Sequence, residues 1–116
     1  MKIAGKELPF KRPTLKLTVE VNDLVMSSEL FQPLPDLHEI YKNDPERFKK
    51  LSEDWAKFCA LVFDGDLTGL ELENTEYPDD VVEAQAGFFT MPWEKTRKRF
   101  ESLNQSSGAT TSQAKQ

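Results

Sequence analysis

Apolar residues recur at alternating spacings of three and four through the middle of the chain. Phe48, Leu51, Trp55, Phe58 and Val62 therefore fall on one side of a helix with roughly 3.6 residues per turn. Asp44 stands where an N-cap is needed, and Pro45 follows at the first helical position, where a missing N–H costs nothing. The pattern predicts a helix from Pro45 to about Phe63. Asp64-Gly65-Asp66 ends it, with Gly65 suited to a left-handed C-terminal position.

The flanking patterns are shorter. In Met1 to Phe10, Ile3 and Leu8–Phe10 flank Ala4-Gly5-Lys6, which predicts a hairpin turning near Gly5, with Pro9 marking an edge. Residues 14–26 support two periods. Leu15, Leu17, Val19 and Val21 alternate as in a strand, whereas Leu17, Val21, Leu24 and Val25 form a helical stripe; length and the cap candidate Thr14 favour helix. Pro33 and Pro35 break the chain, and Asp36 is placed to cap a short helix carrying Leu37, Ile40 and Tyr41.

Leu67 to Tyr77 reads as a polar loop anchored by Leu70 and Leu72. Pro78-Asp79-Asp80 opens another helix, with Val81, Ala84 and Phe88 on one face and Val82 and Phe89 beside it. Thr90 is expected to cap a last helix with Pro92 in its first turn and Trp93, Thr96, Phe100 and Leu103 on one face. From Asn104 onward nothing can build a core. The expected fold is a mostly α, small helical domain over residues 1–103. It has a short N-terminal β-hairpin and a disordered polar C-terminal tail over 104–116.

Composition narrows the function. A chain of 116 residues is one domain with a modest core, so self-association would not be surprising. A net charge of −5 argues against a general binder of nucleic acid or anionic membrane. Cys59 stands alone within the long helix, so it makes no intrachain disulfide and reads as a buried structural thiol. No apolar run of about 18 residues and no signal-peptide core occurs, which predicts a cytosolic protein.

Candidate chemistry is thin. Asp64-Gly65-Asp66-Leu67-Thr68-Gly69 looks like the start of an EF-hand loop. The twelfth position, where calcium needs a bidentate Glu, is Thr75, and the eighth is Glu71, so the segment reads as a helix end and acidic loop. His38 is the single histidine, and nothing in the spacing sets Cys59 or a serine beside it or completes a zinc set. The carboxylates from Asp64 to Glu83 read as solvated acid, and no phosphate-binding glycine motif occurs. Lys95-Thr96-Arg97-Lys98-Arg99 reads as the solvated basic face of a helix, with contact to RNA or an acidic partner as the alternative. No catalytic residue, metal site or cofactor is expected, and the protein reads as a binding protein rather than an enzyme. Eight Phe and two Trp exceed what the long stripe uses. Phe88, Phe89, Trp93 and Phe100 are the expected partner-binding face, with Trp55 and Phe58 assigned to the core.

The opening Met1-Lys-Ile-Ala-Gly-Lys-Glu-Leu-Pro-Phe-Lys-Arg-Pro-Thr-Leu15 resembles the start of small tail assembly chaperones of long-tailed bacteriophages. These often begin with a hairpin on a Gly-Lys turn and a Pro-Thr-Leu lead-in to a helix. The order of parts is similar through Leu103: a helix from Asp44-Pro45, an acidic loop, a helix near Asp79–Phe89 and a polar tail. The aromatic segment from Pro92 to Leu103 has no counterpart in that pattern. The resemblance implies a non-enzymatic protein of the host cytoplasm that binds the tape measure protein, keeps it soluble and helps recruit tail tube subunits. It also implies that the polar tail is a linker into a longer, frameshifted form. The competing expectation is a small phage or bacterial regulatory protein that binds and modulates a host protein.

Overall fold

A computed structural model of the protein describes residues 1–91. The fold is mostly helical, with a two-stranded antiparallel hairpin at its N-terminal end. Strands β1 (Lys2–Ile3) and β2 (Lys6–Glu7) pair Lys2 with Glu7 and Ile3 with Lys6. The two-residue turn puts Ala4 at φ +51° and Gly5 at φ +79°, a left-handed pair that matches the twist of the strands. Ala4 is held in that conformation from far along the chain: its N–H donates to Asp80 Oδ2 at 3.2 Å.

Helix α1 spans Leu15–Ser27, and the Thr14 hydroxyl accepts from the Leu17 N–H at 3.1 Å. The helical period wins over the strand alternation because it is the one the rest of the fold can bury. Val21 and Val25 are sealed in the core, with Leu17 and Leu24 partly buried against it. Helix α2 (Leu37–Asn43) is capped by the Asp36 carboxylate, which accepts from the Glu39 N–H at 3.2 Å. Asp44 ends α2 and begins α3 (Pro45–Val62). Its N–H donates to Ile40 O at 2.9 Å while its carboxylate accepts from the Arg47 N–H at 3.2 Å.

Along α3, Leu51, Trp55, Phe58 and Val62 are fully buried, and Phe48 is half-buried at the edge. The Trp55 indole N–H donates to Leu70 O at 2.7 Å, so the central tryptophan also anchors the loop after α3. Leu70 and Leu72 are buried as anchors, the latter in a 3₁₀ turn over Leu72–Asn74. The buried carboxylate of Asp54 accepts from the Ser28 hydroxyl at 2.6 Å and from Lys50 Nζ at 3.0 Å, so it is paired rather than stranded. On the surface, Arg47 grips Glu29 through two hydrogen bonds of 3.0 and 2.7 Å, tying the segment just after α1 to the start of α3.

Helix α3 stops one residue before the expected end because Phe63 turns extended and pairs with Phe10. The Lys11 N–H donates to Val62 O at 2.7 Å and the Asp64 N–H to Pro9 O at 2.9 Å, while the Phe10 and Phe63 rings stack at 5.1 Å. Lys11 Nζ also donates to Ala60 O at 2.8 Å, a cation on the negative end of the helix.

The last described helix, α4, runs over 79–91 and buries Val81, Ala84 and Phe88. Thr90 lies inside it, its hydroxyl donating to Gly87 O at 3.3 Å, so it does not cap a new helix as expected. The rest of the expected last helix and the polar tail lie outside the described residues.

Candidate functional site

The expected aromatic face is corrected by the structure at its first member. Phe88 has no exposed surface; its ring lies 6.3 Å from that of Phe10 and 5.4 Å from that of Phe89. Gly87 makes this possible. A Cβ there would sit 2.9 Å from Phe10 Cζ, so the glycine lets the N-terminal aromatic lie on α4 and roof over Phe88. Phe89 is half-buried, and Trp93 and Phe100 lie outside the described residues, as does the basic stretch 95–99.

Among the described residues α4 keeps Val82 exposed, but apolar exposure is greatest on α1. Leu15 is 82% exposed, Val19 49% and Met26 63%. Spacings of four and seven put these three on one side of the helix, away from the face carrying Val21 and Val25. The signal was present in the sequence as the ambiguity of residues 14–26. That stretch holds more apolar residues than one buried face can use.

A second surface feature is a cleft of about 370 Å³ between α2, α3 and the 3₁₀ turn. Its walls carry Tyr41, Phe48, Tyr77, His38 and Glu73. The Tyr41 and Phe48 rings meet nearly edge to face, with centroids 4.9 Å apart and planes at 77°. The Tyr77 hydroxyl donates to Pro35 O at 2.6 Å, which fixes the third ring. Burial, and then the nearby Asp36 carboxylate, pushes the Tyr77 phenol up from its ordinary range. The sequence showed these residues only as separate loop and helix positions, because Tyr41 and Tyr77 lie far apart along the chain.

The EF-hand-like loop is organised around a cation of the chain's own. Lys6 Nζ donates to Asp66 O and to Thr68 O, both at 2.8 Å, and lies 3.4 Å from Asp66 Oδ2. Asp66 Oδ1 accepts from the Thr68 N–H at 3.0 Å and from its hydroxyl at 2.7 Å. These Thr68 bonds, followed by the charge of Lys6, hold the Asp66 carboxyl down at about 2. Among the described residues, no group of three or more His, Cys, Asp or Glu side chains is placed to hold a metal ion.

Cys59 is buried, and that burial pushes its thiol up to about 12, so it is an inert packing residue in the native fold. His38 is exposed on α2. No helix among the described residues is long and apolar enough to cross a membrane. Comparisons of the chain with protein-family models, with curated proteins and with solved structures find no match.

Proposed function

We propose that this protein is a tail assembly chaperone of a long-tailed bacteriophage, acting in the host cytoplasm. It binds the tape measure protein, keeps it soluble and helps recruit tail tube subunits. The observation that carries this reading is the stripe of Leu15, Val19 and Met26 along the outside of α1. An extended apolar helix needs a complementary apolar surface to stay dispersed, and a helix face offering anchors at these spacings is one way to supply it. Many copies, each making one such weak contact along a long client, would add up to firm coverage. The resemblance of the opening fifteen residues supports the same assignment.

Co-expression with the tape measure protein of the same tail gene cluster, followed by size exclusion with light scattering, tests it. The expected result is a soluble complex with many copies of this protein per client. The triple variant Leu15→Ser, Val19→Ser, Met26→Ser is expected to fold normally and to leave the client insoluble. An insoluble client with the wild-type protein overturns the reading. A complex of one copy with a single host protein would establish the regulator instead.

A further inference from the structure

We propose that the cleft between α2, α3 and the 3₁₀ turn binds an arginine side chain of a partner polypeptide. Three aromatic rings converge there, and two of them, Tyr41 and Phe48, stand nearly perpendicular. Aromatic faces carry negative charge density, so rings set at an angle make a corner that attracts a cation. Glu73 on the same wall supplies a full negative charge. The floor is formed by Leu37 and Leu72, both buried, so the stem of a long cationic side chain has apolar surface to lie on.

Charge complementarity extends beyond the cleft. The whole chain carries a net charge of −5, and that field favours a basic partner. The cleft is also a separate feature from the α1 stripe, so the inference stands whether or not that stripe binds a tape measure helix.

The test uses the full-length protein, labelled with ¹⁵N and titrated with N-acetylarginine methylamide while amide shifts are followed. N-acetylcitrulline methylamide, which has nearly the same shape and no charge, is the control. The expected result is that the amides of Tyr41, Phe48 and Glu73 move with the arginine compound, and that citrulline binds at least about tenfold more weakly. Tyr41→Leu, at a position 56% exposed, is expected to keep a native spectrum and to lower arginine affinity roughly two- to fivefold. Glu73→Gln should weaken it as well and flatten its salt dependence. Equal response to citrulline, or no response to arginine, overturns the proposal. Guanidinium ion binding as tightly as the blocked residue would assign the cleft to a free small cation and overturn the polypeptide partner.

Discussion

Lys6 shows how much a single side chain can settle. Its ammonium reaches the loop whose opening residues resemble an EF-hand, and it satisfies two backbone carbonyls there. The partner carboxylate of Asp66 is held down at about 2, below its ordinary 3.8, first by Thr68 and then by Lys6. A depressed carboxyl contributes stability that is complete above its unfolded value and is lost as pH falls through its folded value. Asp66→Ala should therefore unfold at lower urea than the wild type at pH 5, and the gap should close between about pH 4 and pH 2. A gap that stays constant down to pH 2 would show that the carboxylate charge contributes nothing. Asp66 is well exposed, so the gap at pH 5 is expected to be small.

At the level of helices and turns, local chemistry is readable from the chain. Thr14, Asp36 and Asp44 each cap the helix their position predicts, since a cap needs only a side-chain oxygen and an N–H three residues on. Gly65 has φ +103°, and Gly5 helps form the hairpin turn. Asp44 caps one helix and closes another, so one residue serves two helix ends. Asp44→Ala is expected to cost about 1 kcal/mol of unfolding free energy in urea melts, with the α3 signal in far-ultraviolet dichroism retained. What could not be read is where faces meet. Phe88 reads as surplus because the long stripe of α3 does not use it, and its partner Phe10 comes from the other end of the described chain. Phe63 looked helical by period; the Phe10 backbone, more than fifty residues earlier, is what pulls it extended. The α1 stripe stayed hidden because its apolar residues fit two periods, and only the buried set reveals which residues are left over.

Across the whole molecule, the N-terminal segment and α4 close the structure together. Phe10 stacks on Phe63 and lies against Gly87 and Phe88, and Asp80 reaches both Ala4 and Glu76. Phe88→Ala is expected to destabilise the protein by about 3–5 kcal/mol, the cost of emptying a large aromatic site in a packed core. Leu15→Ser on the outer face should shift stability by no more than about 0.5 kcal/mol. Thermal melts of both variants separate a core residue from a surface one, and similar losses in the two would overturn that division. The clasp between the two ends also sets an order of events on the ribosome. The Ala4 N–H and the Phe10 ring are synthesised well before Asp80, Gly87 and Phe88, so they must wait for most of the domain to emerge before they are seated. The α1 to α3 frame can condense earlier, with its outer stripe already available. A nascent copy would thus offer the α1 stripe, which stays exposed in the finished fold, before Phe10 and Phe88 are seated against each other.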